Sequence, residues 1–185
     1  MDKPMQAIHT QFNRLEAKKR KITDLLQSLT TAQYSQQPDA QTWSVGQVAQ
    51  HLYLSERNSL AYLKKKLSYP DTVPMYHPKS WGGVWLIKLV YLFHNKIKAP
   101  DSINMWKISE VMTQEELKTK WDELRKELIS FIEKNEPAFG RRLAFRHPFA
   151  GRMTMHQMLI FMNDHMRHHL KQMQKILSRL NREKV

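Results

Sequence analysis

Residues 153–180 read MTMHQMLIFMNDHMRHHLKQMQKILSRL, and the fold turns on whether this stretch is a helix. From Met155 the apolar positions Met158, Leu159, Met162, Met166, Leu170, Met173, Ile176, Leu177 and Leu180 recur every three or four residues. That is the period of an amphipathic helix with one buried face. His165 and His169 fall inside the apolar stripe. Four residues apart on a helix, their side chains sit one turn above the other and point the same way. A buried imidazole is costly unless its nitrogens are paired, and two of them repel if both are charged. A metal ion removes both difficulties; a hydrogen-bonded or solvated pair is the alternative that the spacing leaves open. His168 lies about a hundred degrees round the helix and is expected to face outward or to flank the pair.

Working outward, the start of this helix carries a signal that recurs twice. Thr154 with Gln157 makes a capping box, and Met153 and Met158 stand where a hydrophobic staple would. Ser44 with Gln47 is flanked in the same way by Trp43 and Val48, and Thr113 with Glu116 by Met112 and Leu117. Trp43, Ser44, Gln47, Thr113 and Thr154 are accordingly read as capping residues. The helix opened by Ser44 turns Val45, Val48, Leu52, Ser55, Ser59, Leu60, Leu63 and Leu67 inward, and His51 borders that face. A lone histidine there is usually a hydrogen-bonded core or boundary residue. Beside the pair at 165 and 169 it becomes a candidate third ligand, because facing helices of a bundle commonly supply one shared site.

The helix opened by Thr113 is expected over Gln114–Lys134, with Leu117, Trp121, Leu124, Leu128, Phe131 and Ile132 inward and Pro137 and Gly140 closing it. A first helix is expected over Met5–Leu29, followed by a weakly patterned stretch, 30–42, with a turn at Pro38 and Asp39. Between 68 and 101, prolines at 70, 74, 78 and 100 and the pair Gly82–Gly83 interrupt regularity. Trp81, Trp85, Leu86, Leu89, Val90, Leu92 and Phe93 are nevertheless too apolar for a free loop. A short helical segment lying across one end of the bundle is expected there, the alternative for an exposed patch of that kind being a dimer surface or a lid over the site. His77 and His94 fall outside the inward stripes and read as incidental. Residues 146–151 read as a turn feeding the last helix, and no period-two strand is evident. The expectation is an all-α four-helix bundle, one domain over 1–185, with an extra helical segment between helices 2 and 3.

Composition narrows the chemistry. A chain of 185 residues can bury a core unaided. It has no cysteine, which excludes disulfides, thiolate ligands and a protein thiol nucleophile, so any metal is held by nitrogen and oxygen. The first twenty residues lack the apolar core of a signal peptide. The longest apolar run, 84–93, is broken by Lys88 and is about half of what a bilayer requires. A cytoplasmic protein without a membrane span is expected. The net charge is +13. It is spread over separate clusters at 18–21, 64–66 and Lys171, Lys175, Arg179 and Arg182, several towards helix C-termini where cations complement the dipole. No zinc-finger, helix-turn-helix or RNP pattern accompanies them, so a solvated basic surface is favoured over a nucleic-acid partner.

Four runs together carry a resemblance. Trp43-Ser44-Val45-Gly46-Gln47-Val48-Ala49-Gln50-His51-Leu52, Lys98-Ala99-Pro100, His147-Pro148-Phe149-Ala150-Gly151, and His165-x-x-x-His169 followed by Gln172 occur in that order. In order and spacing they resemble the DinB/YfiT-like family of metal-dependent hydrolases and transferases, over most of the chain and most sharply at 43–56 and 145–177. The resemblance implies an up-down-down-up bundle, often dimeric, with a divalent metal held by three histidines; these positions fall on His51, His165 and His169. Family members often carry arginine directly before the final histidine, where this chain has His168, with Arg167 one earlier. Characterised relatives include thiol S-transferases that join low-molecular-weight thiols, such as bacillithiol or mycothiol, to electrophiles. The expectation is a metal-dependent enzyme, homodimeric and loaded with zinc or nickel, performing thiol S-transfer or hydrolysis on a small molecule. The alternative is a non-catalytic metal-binding bundle acting as a partner-binding or stress-response protein, with a nucleic-acid role behind both. No general base is named: Asp164 and Glu56 lie near the histidines in sequence but read as solvated carboxylates.

Overall fold

A computed structural model describes residues 3–93, 108 and 110–182. His94 and the Lys98-Ala99-Pro100 run lie outside the described residues, as do the side chains of Leu92 and Phe93. The elements in chain order are α1 (Lys3–Gln27), α2 (Thr31–Ser35), α3 (Val45–Leu67), α4 (Ser80–Phe93), α5 (Gln114–Phe139), the strands β1 (Phe145–His147) and β2 (Gly151–Met153), and α6 (Met155–Arg182).

The long helices α1, α3, α5 and α6 form the four-helix bundle, and side-chain pairs between them fix its directions. Glu16 meets Arg125, Lys19 meets Asp122 and His9 meets Glu133, so α1 and α5 run antiparallel. Glu56 meets Arg125 and Lys64 meets Glu127, so α3 and α5 run parallel. Tyr62 packs on Phe145, which stacks on Phe161 of α6, while His51 packs on His165, so α3 and α6 run antiparallel. The order is up-down-down-up, as expected. Most of the stripe read from the last helix is buried: Met158, Leu159, Met162, Met166, Met173, Ile176 and Leu180 are at most 3 % exposed, while Leu170 and Leu177 are half-buried against the core. They meet Leu15 and Ile22 of α1, Leu52, Leu60 and Leu63 of α3, and Trp121, Leu128 and Ile132 of α5.

Two of the three capping boxes close in full. Ser44 accepts from the Gln47 amide N–H while its own amide N–H donates to the Gln47 side chain, and Thr154 and Gln157 do the same. Thr113 accepts from the Glu116 amide N–H, but the Glu116 carboxylate turns instead to Lys120 one turn on. A further box lies in the stretch expected to be weakly structured, where Thr30 and Gln33 open α2.

Other boundaries differ from expectation for physical reasons. Pro137 does not end α5, which runs on to Phe139; proline in a last turn forfeits one backbone bond near a terminus that fraying already weakens. Gly140 is the C-cap, as read. Gly82 and Gly83 lie inside α4 and do not break it. Gly83 serves a close approach: a Cβ there would lie 1.9 Å from the carbonyl oxygen of Ala150. The link read as a simple turn is a two-stranded antiparallel hairpin, with Phe145 opposite Met153, Arg146 opposite Arg152 and His147 opposite Gly151. Three-residue strands are too short to display the alternation by which a strand is recognised. Gly151 has φ of 74°, the left-handed conformation that glycine adopts without strain.

The extra helix α4 does not lie across an end of the bundle. Ser80 meets Gln157, Trp81 meets His156, and Tyr91 meets both His165 and His168, so α4 runs alongside α6 and parallel to it. That placement carries its C-terminal end to the level of the histidines.

Candidate metal centre

His51 stands two turns into α3, and its register is set by the cap at Ser44. His165 and His169 stand halfway along α6 on its buried face. The bundle brings all three together: one ring nitrogen from each lies within 4.8 Å of the other two. His165 Nε2 is 3.4 Å from His51 Nε2 and 3.0 Å from His169 Nε2. His169 Nδ1 lies 2.7 Å from Gln172 Oε1, and His51 Nδ1 is buried with no hydrogen-bond partner among the described residues.

This convergence poses a proton problem. Each neutral imidazole has one N–H and one lone pair. The Gln172 oxygen holds the proton of His169 on Nδ1, which leaves a lone pair on Nε2. A proton on His165 Nε2 can serve only one of its two close contacts. A lone pair there faces the lone pair of His169. No tautomer satisfies all three nitrogens through one another, whereas a divalent cation accepts three lone pairs at once. Nitrogens around a tetrahedral zinc at 2.0–2.1 Å stand about 3.3 Å apart, close to the two separations found here. The donor set therefore fits a metal ion.

Burial keeps the rings neutral. It pushes the His51 imidazole down to about 4 and that of His169 to about 3. His165, the most enclosed, is driven well below its ordinary range by burial first and then by its imidazole neighbours. At neutral pH all three are uncharged, with lone pairs free to bind a cation.

Aromatic rings wall the cluster. Trp43 packs on His51 at 5.3 Å, so the residue read as a staple also borders the site. Phe161 stacks on His165 at 5.5 Å from one side and Tyr91 at 6.1 Å from another. Tyr91 stacks more closely, at 4.9 Å, on His168, which flanks the pair as expected. Burial, followed by the charge of Asp164, raises the Tyr91 hydroxyl pKa, so it stays protonated. Sequence reading passed over Tyr91 and Phe161. Tyr91 follows buried Val84 and Ile87 at helical spacing, which is the signal that places it inward.

Of the two carboxylates near the histidines in sequence, Glu56 is not solvated and Asp164 is only partly so. Glu56 is 2 % exposed and grips Arg125 through two bonds, Nε to Oε2 at 2.7 Å and Nη2 to Oε1 at 2.8 Å. The same carboxylate accepts from the Trp121 indole N–H at 2.9 Å. Asp164 pairs with Arg167 at 2.8 Å. An isolated i,i+3 or i,i+5 count could not reveal the α5 arginine that buries Glu56.

The DinB superfamily pattern matches residues 14–173, which is most of the chain and contains all three histidines. The chain belongs to the DinB superfamily. Among relatives of this DinB protein is YuaE of Bacillus subtilis, an uncharacterised protein 24 % identical over 158 residues, with 85 % of this chain and 91 % of YuaE covered. Its fold is similar to that of YfiT from Bacillus subtilis, described as "a probable metal-dependent hydrolase with an unusual four-helix bundle topology". That likeness has a TM-score of 0.59 at 17 % identity and covers 98 % of this chain and 90 % of YfiT. His147, in the run that helped carry the family resemblance, is not in the histidine cluster. Its Nδ1 accepts the amide N–H groups of Phe149 and Ala150 at 3.2 Å each, which shapes the hairpin turn. His77 is exposed and away from the cluster.

Proposed function

We propose that this DinB protein is a metal-dependent enzyme acting on a small molecule, with one divalent cation, zinc or nickel, held by His51, His165 and His169. The observation that carries the reading is the convergence of three neutral imidazole nitrogens that cannot satisfy one another. When bound, such a cation acts as a Lewis acid and promotes loss of a proton from a thiol or water at neutral pH. The chain's own residues do the rest. Gln172 fixes the His169 tautomer by accepting from Nδ1, the kind of support that orients metal ligands. Trp43, Phe161 and Tyr91 exclude water on the ring faces and leave an apolar wall for the body of a substrate.

Between the two reaction classes, thiol S-transfer is favoured over hydrolysis. Glu56 is locked to Arg125 in the core and Asp164 pairs with Arg167, so each carboxylate that could serve as a general base is already engaged by an arginine. A thiol gives up its proton readily and asks little of such a base, whereas hydrolysis of an amide also needs a proton for the leaving amine. In S-transfer the substrate sulfur forms a bond to an electrophilic carbon, the leaving group departs with its electron pair, and the thiol proton goes to solvent.

Elemental analysis of the purified protein beside the His51→Ala and His165→Ala variants tests the ligand set. About one divalent ion per chain is expected in the parent and a small residue in either variant; equal content in all three overturns it. The reaction class is tested by supplying low-molecular-weight thiols with an electrophile, and separately esters and amides, with and without a chelator. Turnover of esters but not thiols would replace transfer by hydrolysis.

A further inference from the structure

We propose that the outer face of α4, with the β1–β2 hairpin beside it, seats this protein on an anionic membrane surface. The proposal is independent of the histidine cluster.

Among the described residues, the large apolar side chains that stand exposed come from two stretches of the chain. Tyr69, Met75, Trp85, Leu86, Leu89 and Phe149, each 49–62 % exposed, all come from residues 69–89 and the hairpin turn. Helix α4 is fastened by its other side, where Val84 and Ile87 are buried and Ser80 bonds Gln157 of α6. The contact of Gly83 with Ala150 holds helix and hairpin together as one layer. Trp85 and Leu89 are one turn apart, with Leu86 beside them, so the outward side of α4 is an apolar strip that packing does not use. Isolated exposed apolar residues need no explanation, but a contiguous strip does.

Charge selects the occupant. Residues 68–93 and 141–153 contain six lysines and arginines and one carboxylate, Asp71. Lys88 sets its ammonium 5.1 Å from the centre of the Trp85 ring, an aromatic and a cation side by side at the edge of the strip. That pairing suits the headgroup level of a bilayer, where both residue types settle. Arg146 and Arg152 stand directly opposite each other across the hairpin. Like charges in that position repel. Arg146 is exposed, so an anion at the surface can reach the pair and relieve the repulsion. A second copy related by a twofold axis would press these cations against their own images. Anionic lipid headgroups neutralise them while the acyl boundary takes Trp85, Leu86 and Leu89. No described helix is long and apolar enough to cross a membrane, so the binding is interfacial.

The test is co-sedimentation of the full chain with vesicles of phosphatidylcholine alone and of phosphatidylcholine with phosphatidylglycerol at about three to one. Binding to the mixed vesicles, weakening with salt, and none to the neutral ones is expected. The Trp85→Ser/Leu89→Gln variant should lose at least about tenfold in partitioning, with its circular dichroism unchanged because both residues are exposed. Arg146→Gln/Arg152→Gln should bind more weakly and with a shallower salt dependence. Absence of binding to mixed vesicles at low salt overturns the proposal. So does undiminished binding of a folded Trp85→Ser/Leu89→Gln variant, which would assign the affinity to the basic clusters elsewhere. A parent dimer that this variant converts to monomer in the ultracentrifuge would also overturn it, by giving the face to a second copy of the chain.

Discussion

The His51 ring is held neutral by burial, and that has a price in acid. In an unfolded chain histidine titrates near 6.5, whereas the folded protein holds His51 near 4 and His169 near 3. Between those values the unfolded chain takes up protons that the folded one refuses, so stability falls as pH drops below about 6.5 and levels off only below the folded values. The His51 shift alone corresponds to about 3 kcal/mol. His147 adds to the effect: burial pushes it down to about 4, and a proton on Nδ1 would cost the two amide bonds that shape its turn. The metal-free protein should therefore melt at progressively lower temperature from pH 7 to pH 4, and His51→Gln should flatten the curve. Melting temperatures that stay constant over that range would contradict the buried, neutral state of these rings. Bound metal should move the onset to lower pH, because protons must then displace the cation.

Helix register decides whether the imidazoles meet, and a buried ionic cluster helps to set it. Arg125 of α5 bonds Glu56 of α3 twice and Glu16 of α1 at 2.9 Å, and its Nη2 lies 3.4 Å from the Met166 sulfur of α6. Four helices thus meet at one guanidinium, five residues along α3 from His51 and beside His165 on α6. Removing one partner of a buried pair leaves the other charge without compensation, so Glu56→Ala should destabilise by about 3–5 kcal/mol in urea titration. Glu56→Gln keeps an acceptor for the Trp121 indole and should lose less. Equal losses in the two variants would mean that side-chain volume, not charge pairing, ties α3 to α5. The cap has a smaller and more local effect: Ser44→Ala should lower stability by about 1 kcal/mol. At Gly83 the constraint is steric. Gly83→Ala forces α4 away from the Ala150 carbonyl and should destabilise by about 1–3 kcal/mol, with Tyr91 displaced from its stack on His165. Wild-type stability in that variant would show that the helix and hairpin separate at no cost.

For the molecule as a whole, a ligand that binds only the folded state adds to its stability by mass action. Zinc or nickel should raise the melting temperature of the parent protein and leave His165→Ala unchanged; a chelator should reverse the rise. Stabilisation of both proteins alike would place the cation elsewhere. The sequence by itself determined three of the helix starts, most of the inward stripes and the family, because caps act within one turn and periodicity within one helix. His51, His165 and His169 could be picked out as candidates for the same reason: each lies on or beside an apolar stripe. Only the tertiary structure decided that Glu56 is buried against Arg125, that α4 runs beside α6 and delivers Tyr91 to the histidines, and that three ring nitrogens face one another. Those outcomes depend on how far one helix slides along another. That offset is fixed by packing between residues as much as a hundred positions apart, which no local pattern records.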